Sequence, residues 1–263
     1  MAITAADVQS LRKRTGAGML DAKKALEEAG GDAEKAAQIL REKGLAGAVK
    51  RSDRENTQGA CYVSVNDRSA SIVELRCETD FVAKSESFVS LVEKIAAAVA
   101  ERGPEATKEF DSEVDELKIT LKENIDLGRV SYLEASEGET LDGYMHVQSG
   151  RGTVGVLVKL RGGSKDLAHD IALHVAFARP SYLRREDVPA DVVEKERETL
   201  TAITRNEGKP EAAIDKIVSG RLDGFFKNIC LTEQAFVKDE KLKVQDVLGS
   251  AEIVQFALVV VGS

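Results

Sequence analysis

Apolar residues among the first fifty positions recur at steps of three and four, which is the spacing of one face of a helix. Thr4 and Asp32 stand where side-chain oxygens would cap a first and a third helix, and Thr15–Gly18 interrupts the chain between the first and the second. The second helix is predicted from Met19 to about Ala29. The pattern predicts three helices with these apolar positions: Val8, Leu11, Met19, Ala22, Leu26, Ala29, Ala36, Ala37, Ile39 and Leu40.

The pattern changes after this unit. Residues 50–59 contain no hydrophobic side chain, which predicts a linker. Apolar positions then alternate over residues 61–65 and run on over 72–76, on either side of a polar turn, which predicts a β-hairpin. Two helices follow, at about Phe88–Ala100 and Glu113–Glu123.

The same order of elements returns in the second half of the chain. The elements predicted there are two strands, a helix and two later strands, at Tyr144–Val147, Val154–Leu160, Asp166–Ala178, Phe236 and Ile253–Val261. The helix segment Ile171–Ala176 matches Ile95–Ala100 of the first half. This match predicts two related α+β halves, and the two later strands are expected to complete the second sheet.

A helical insertion interrupts the second half. Between Pro189 and Ile229 the main turn signal is Glu207–Pro210. Two apolar stripes flank that turn, one formed by Val192, Val193, Leu200 and Ile203 and the other by Ile214, Ile217, Val218, Leu222, Phe225, Phe226 and Ile229. The spacing predicts an antiparallel coiled-coil hairpin.

These patterns predict an α+β fold in four parts. Residues 1–54 form a three-helix N-terminal domain with its linker, and residues 55–139 form the first core subdomain. Residues 140–182 and 230–263 form the second core subdomain, and residues 183–229 form the inserted coiled-coil hairpin. The core is expected to be a duplicated α+β unit with antiparallel sheets.

Composition narrows the classes of function. The net charge of −8 and the pI of about 5.2 argue against broad nucleic-acid binding, which needs a basic surface. Three widely spaced cysteines predict free thiols in a reducing compartment. No secretory signal and no apolar run long enough to span a membrane is visible, so we expect a cytoplasmic protein without a membrane partner.

Motifs for catalysis or metal binding are weak. Gly150–Gly155 fits GxGxxG, but it leads into a strand rather than a helix, so a tight turn is the better interpretation. His169 and His174 are five residues apart on one predicted helix and point to different faces, and His146 stands alone on a strand. We therefore predict no catalytic residue, no metal, no cofactor and no small-molecule substrate. The basic residues Arg41, Lys43, Lys50, Arg51 and Arg54 are interpreted as a solvated linker, with RNA contact as the alternative.

One short segment is unusual. After the strand that ends near Cys77, Thr79 is placed to cap a turn that carries Asp80 and Phe81 at its tip. Phe81 either folds back into the core, the usual position of a Phe, or stands out as an anchor for a partner protein. Pattern alone leaves both open.

Two segments of the chain, Leu11–Leu26 and Thr79–Lys84, resemble signatures of the bacterial elongation factor Ts family. Weaker support comes from Gly155–Val158 and from His174–Ala176 followed by Pro180. The similarity extends over nearly the whole chain. It implies a ubiquitin-associated type of N-terminal domain, two α+β core subdomains and an inserted coiled coil.

The resemblance also implies a function and its residues. Family members promote release of GDP from the GTPase elongation factor Tu, and the turn formed by Thr79, Asp80, Phe81 and Val82 would disturb the magnesium site of that partner. Further partner contacts are expected from the N-terminal helices and from the second core half, at Arg12, Met19, Leu20, Lys23 and His146. Some relatives carry an additional C-terminal helical module, which is expected to be absent here.

The sequence leaves two other classes of function open. In the first, residues 1–50 act by themselves as a helical adaptor that binds a protein ligand. Equal affinity of that fragment and of the whole chain for the ligand would favour this class. A small-molecule enzyme would need a cluster of titratable groups in a pocket, and the sequence does not indicate one.

Overall fold

Three helices open the computed structural model, which describes residues 3–263. They are α1 (Ala5–Thr15), α2 (Met19–Glu28) and α3 (Ala33–Val49). The predicted caps are present: the Thr4 hydroxyl accepts a hydrogen bond from the Asp7 amide (3.3 Å), and the Asp32 carboxylate accepts from the Glu34 and Lys35 amides. The helices share a small core of Val8, Leu11, Ala22, Ala25, Leu26 and Ala36.

The first half of the core is a three-stranded antiparallel unit with helices beside it. Strand β2 is central and pairs with β1 and β3. In chain order the elements are β1 (Gln58–Val65), β2 (Ser69–Cys77), α4 (Asp80–Ala83), α5 (Glu86–Arg102), a 3₁₀ segment (Pro104–Phe110), α6 (Asp111–Leu121) and β3 (Asp126–Glu134).

The second half has the same strand, strand, helix, strand order. Here β5 is central, and it pairs antiparallel with β4 and β8. The elements in chain order are β4 (Glu139–Gln148), β5 (Arg151–Arg161), α7 (Lys165–Ala178), α8 (Ala190–Asn206), α9 (Glu211–Ile229), β6 (Ala235–Phe236), β7 (Asp239–Lys243), α10 (Val244–Leu248) and β8 (Glu252–Val260).

The antiparallel residue pair Cys61 and Gly152 joins β1 to β5 and so links the two strand units into one sheet. Away from this pair the two units pack face to face, with residues of both in one buried cluster. Alternation along β2 explains the layering: Val73 packs with α5, whereas Ile72 packs against the other half. A Cβ atom on Gly155 of β5 would lie 2.8 Å from Ile72 Cγ2, so only glycine fits there. The layers run from α5 through the two strand units to α7.

One predicted strand belongs elsewhere. Phe236 lies in β6, which pairs with β7 in a separate two-stranded sheet, so only β8 completes the second strand unit. The Phe236 side chain is buried in the core cluster beside α7, and its ring lies 5.8 Å from that of His174. Burial against the helix, rather than pairing with β5, accounts for its apolar character.

Helices α8 and α9 pack against each other through Ile214, Val218 and Leu222. The prediction that Ile203 faces inward is wrong, because its side chain is 43% exposed. The next residue along the chain, Thr204, is buried instead. Thr204 follows Leu200 by four residues and therefore lies on the same helix face. Its hydroxyl donates to the Leu200 carbonyl oxygen (2.6 Å) and accepts from Arg221 (3.2 Å), which satisfies a polar group in this interface.

The basic residues interpreted as a solvated linker are placed differently: Arg41 and Lys43 lie in α3, and Arg51 and Arg54 contact the core. Arg51 donates to the Lys118 carbonyl oxygen on α6 (3.0 Å), and Arg54 pairs with Glu78 (3.3 Å). The end of the linker differs too, since β1 begins at Gln58 and already contains the last two residues assigned to it. No helix within residues 3–263 combines the length and apolar character needed to cross a membrane.

Candidate functional site

The turn between β2 and α5 is a single turn of helix, α4. The Thr79 hydroxyl accepts a hydrogen bond from the Val82 amide (3.3 Å), as the sequence predicted, and the Lys84 amide donates to the Asp80 carbonyl oxygen (3.2 Å). Ala83 is fully buried and packs into the cluster around α5, which anchors the turn. The four predicted residues are therefore presented together on a capped, anchored element.

Phe81 lies on the outer side of this turn, with 83% of its surface exposed. Its neighbour Val82 is half-buried against the α5 cluster. The alternative that Phe81 folds into the core is wrong. An exposed aromatic side chain on a backbone already fixed by hydrogen bonds has the character of an interface anchor, because little conformational entropy is left to lose on binding.

Asp80 carries the charge at the tip. Its carboxylate lies 2.5 Å from the Lys84 ammonium nitrogen, and its side chain is 45% exposed. The hydrogen bond from Lys84 holds the pKa of Asp80 below its usual range, and Arg151 adds to this effect through its charge. Asp80 is therefore a carboxylate at neutral pH, paired within its own turn but open to solvent.

The surroundings of the turn come from distant parts of the chain. A depression of about 580 Å³ beside Asp80 and Phe81 is bordered by residues from β1 and from the β4–β5 connection, among them Gln58, Gln148, Ser149 and Arg151. The β4–β5 connection is the tight turn predicted for Gly150, with φ of 53° at Ser149 and 81° at Gly150. Sequence reasoning identified this turn but gave no sign that it lies beside Phe81.

The predicted N-terminal contact residues are all exposed on α1 and α2. Met19 and Leu20 are 50% and 64% exposed at the start of α2, whereas Ala22 behind them is buried. Arg12 and Lys23 are exposed as well, and Lys23 pairs with Glu27 at 3.8 Å. Met19, which the pattern included among the apolar helix-face positions, therefore faces solvent.

The three histidines do not come together. His146 is exposed on β4, with its Nδ1 3.3 Å from the Tyr144 hydroxyl. His169 lies 2.8 Å from Asp142. His174 is fully buried between Gln234 and the Val237 amide, and burial lowers its pKa. Of the three, only His146 is a residue for which a partner contact was predicted.

The cysteines and acidic groups form no reactive cluster in the described part of the chain. Cys61, Cys77 and Cys230 are free and buried. Burial raises the pKa of their thiols to about 12, about 12 and about 11, respectively, so they stay protonated and poorly nucleophilic. Within residues 3–263 no group of three His, Cys, Asp or Glu side chains is arranged to hold a metal ion.

Glu123 is the residue behind the turn that sequence reasoning missed. Its carboxylate accepts hydrogen bonds from the Glu78 and Thr79 amides (3.0 and 3.1 Å) and from the Thr79 hydroxyl (2.6 Å). The sequence places it at the end of a helix, 44 residues from Thr79. Local periodicity carries no information about a contact at that separation.

Comparison with known proteins identifies related chains. A family model described as elongation factor TS matches residues 78–263. A protein named elongation factor Ts from Clavibacter michiganensis is 47% identical over 260 residues, covering 94% of each chain. Proteins of the same name from Renibacterium salmoninarum and Corynebacterium aurimucosum are 44% and 46% identical, the first over 99% of each chain.

Proposed function

Because this chain belongs to the elongation factor Ts family, and so serves translation elongation rather than enzymatic catalysis, we propose that it promotes release of GDP from the GTPase elongation factor Tu. The observation that carries the proposal is the exposed Phe81 on the capped turn Thr79–Val82. Phe81 wedges between side chains of the partner near its magnesium site. The Mg²⁺ is lost, GDP leaves and GTP can then bind.

The mechanism is differential binding. A protein speeds nucleotide release only if it binds the nucleotide-free form of its partner more tightly than the GDP-bound form. Phe81 supplies apolar surface for a cavity that opens in the nucleotide-free form, and Asp80 brings a negative charge toward groups that coordinate Mg²⁺ or phosphate. No bond is made or broken on this chain.

Other exposed residues extend the proposed contact. Arg12, Met19, Leu20 and Lys23 form a surface on the N-terminal helices that suits the GTPase domain of the partner. Met and Arg are enriched at protein interfaces, so exposed Met19 and Arg12 support this contact. His146 on β4 is proposed to meet a more distant domain of the same partner.

The proposed domains have the boundaries that the sequence predicts. Residues 1–54 act as a ubiquitin-associated type of domain, residues 55–139 and 140–182 with 230–263 as two related core subdomains, and residues 183–229 as a coiled-coil insertion. The protein acts in the cytoplasm, where translation takes place, without binding nucleic acid, a membrane or a small-molecule substrate.

Release of a fluorescent GDP analogue from elongation factor Tu tests the proposal. The preloaded GTPase is mixed with excess unlabelled GDP, with and without this protein, and the fluorescence decay is followed. We expect the protein to accelerate the decay in a manner that saturates with its concentration. An unchanged decay rate at saturating concentration would rule out the exchange function.

A further inference from the structure

Residues 122–125 connect α6 to β3, and the first three of them make contacts in two directions. Lys122 ends α6 in the left-handed region (φ 57°). The Lys122 ammonium nitrogen lies 3.5 Å from Asp21 of α2. Asn124 donates to the Ser52 and Arg54 carbonyl oxygens (3.1 and 2.7 Å). The connection is thus held against the N-terminal helices.

Glu123, between these two anchors, receives three hydrogen bonds from the turn that carries Phe81. One carboxylate oxygen accepts from two backbone amides, Glu78 and Thr79, and the other accepts from the Thr79 hydroxyl. Hydrogen bonds to a charged acceptor are the stronger kind. A single half-buried carboxylate therefore fixes the backbone immediately before α4.

The contact also determines how Thr79 caps the helix. A hydroxyl has one proton, and Thr79 donates that proton to Glu123 at 2.6 Å. Its lone pairs remain available to the Val82 amide, which donates to it at 3.3 Å. Without Glu123 the hydroxyl is free to rotate, and the start of α4 loses both its cap orientation and its two backbone anchors.

A second carboxylate holds the same junction from the other side. Glu78 accepts from the Asn124 backbone amide (2.6 Å) and pairs with Arg54 (3.3 Å). The Glu78 carboxylate thus accepts from the backbone next to Glu123, and the Glu123 carboxylate accepts from the backbone of Glu78 and Thr79. Hydrogen bonds therefore run in both directions between the two segments. The turn cannot shift relative to the α6–β3 connection without breaking several of these bonds.

We propose that Glu123 is a positioning residue for exchange: it holds the Thr79–Val82 turn so that Phe81 is presented in its binding orientation before the partner arrives. This inference rests on the proposed exchange function. A turn fixed in advance loses less conformational entropy on binding, and more of the contact energy is available to distort the partner. Glu123 acts through Thr79 and Phe81 and makes no contact of its own with the partner.

A double-mutant cycle on GDP release tests the proposal. Wild type, Glu123→Ala, Phe81→Ala and the double variant are compared at saturating concentration. We expect Glu123→Ala to slow release about tenfold in the wild-type background, the loss of one well-oriented contact of about 1.4 kcal/mol. In the Phe81→Ala background the same change is expected to slow release less than about twofold, because the aromatic group that it positions is gone.

Two further variants separate positioning from general destabilisation. Glu137→Ala removes a carboxylate from an exposed turn at the other end of β3 and is expected to leave the rate unchanged. Glu123→Gln keeps the length of the side chain but only one acceptor oxygen, so an intermediate rate is expected. Should Glu123→Ala fail to fold, Glu123→Gln takes its place in the cycle.

The outcomes distinguish the two proposals. If Phe81→Ala slows release but Glu123→Ala and Glu123→Gln do not, the positioning role is overturned and the exchange function stands. Equal slowing by the Glu123 variants in both backgrounds overturns the positioning role in the same way. If wild type does not accelerate release, both proposals fail. If wild type accelerates release and Phe81→Ala does so equally well, the exchange function stands, but the role of Phe81 as the wedge and the positioning role of Glu123 are both overturned.

Discussion

Phe81 is exposed because the element that carries it is so short. A single helical turn has room for one inward-facing anchor, and Ala83 takes that place with its side chain fully buried. Val82 covers the edge of the same cluster. Phe81 is left on the outside, where 83% of its surface meets solvent and its removal costs the fold little.

We expect Phe81→Ala to slow GDP release about tenfold or more, as for a central aromatic anchor worth about 2 kcal/mol. Its thermal unfolding midpoint is expected to stay close to that of wild type, because the side chain contributes little to the core. Stopped-flow release and calorimetry check the two parts. Phe177→Ala removes an equally accessible Phe (77% exposed) from α7 and serves as the matched control.

Loss of the cooperative unfolding transition in Phe81→Ala would show that the side chain has a structural role. An identical rate loss in Phe177→Ala would show that any exposed Phe matters. Either result contradicts the interpretation of Phe81 as the wedge.

Glu74 shows the opposite situation, a charged residue whose side chain is fully buried between the two strand units. Arg129 donates to it from the backbone amide (3.1 Å) and from the side chain (3.3 Å), and Arg76 donates at 3.2 Å. Burial raises the pKa of Glu74, but these hydrogen bonds outweigh burial and hold the pKa below its usual range. Arg129 also donates to the Val260 carbonyl oxygen, so the carboxylate helps join β3 to β8.

We expect Glu74→Gln to lower the free energy of unfolding by about 2 kcal/mol at neutral pH, less than for a fully buried ion pair because the arginines are partly exposed. Since the folded pKa is depressed, the carboxylate contributes its stability above the unfolded pKa of about 4.5. That contribution is lost as the pH falls through the lower, folded value. Urea unfolding of both proteins between pH 7 and pH 3 measures it.

The difference between wild type and Glu74→Gln is therefore expected to shrink in acid. Glu137→Gln, at an exposed carboxylate, is the control. A difference that stays constant across the pH range would show that packing, not charge, is responsible.

Between elements, the close approach of α3 and α6 joins the N-terminal helices to the core. Gly44 makes this approach possible: a Cβ atom there would lie 2.5 Å from Ile119 Cγ2 and 3.2 Å from Ile119 Cβ. Arg51 and Lys118 form a hydrogen bond nearby. Because glycine is unfavourable inside a helix, its presence here reflects the space that the neighbouring helix requires.

We expect Gly44→Ala to separate α3 from α6 although alanine favours the helix by about 1 kcal/mol. The N-terminal helices would then detach from the core, and limited proteolysis would cut at residues 50–57 at least several times faster. Ile119→Ala in the same chain is expected to restore protection by removing the clash. Gly47→Ala is the control, because there a Cβ meets only the movable Arg51 guanidinium at 3.1 Å.

If Gly44→Ala alone is cleaved no faster than wild type, the helices adjust without separating and the close approach does not determine docking. The double variant checks that any effect comes from Ile119.

At the scale of the whole molecule, the α8–α9 hairpin leaves and rejoins the core at one place. Tyr182 and Cys230 are bridge partners, and the Leu231 amide donates to the Tyr182 carbonyl oxygen (2.9 Å). Arg185 at the hairpin base pairs with Asp223 (2.8 Å) and lies 4.6 Å above the Phe226 ring. The hairpin has its own apolar contact and adds little to the clusters on either side of the strand units.

We therefore expect the core to fold without the hairpin. Replacing residues 184–228 by a four-residue Gly–Ser linker is expected to leave one cooperative thermal transition, with a midpoint lowered by less than about 10 °C, since mainly exposed ion pairs are lost. Far-UV circular dichroism would lose the helical signal of α8 and α9. Absence of a cooperative transition would show that the hairpin is part of the folding unit.

The sequence by itself determined the features that depend on neighbours a few residues apart. The caps at Thr4, Asp32 and Thr79, the tight turn at Gly150 and the helix and strand periods are local, because a side chain reaches only the next turn or the next pleat. Sequence similarity to known proteins also identified the family, and this comparison needs no knowledge of tertiary contacts.

Tertiary structure decided the rest. It left Phe81 outside, moved Phe236 to a separate sheet, buried Thr204 instead of Ile203, and placed Glu123 behind Thr79. In each case the deciding partner is distant in sequence or lies on another element. Burial and pairing depend on which surfaces pack together, and that outcome is a property of the folded molecule as a whole.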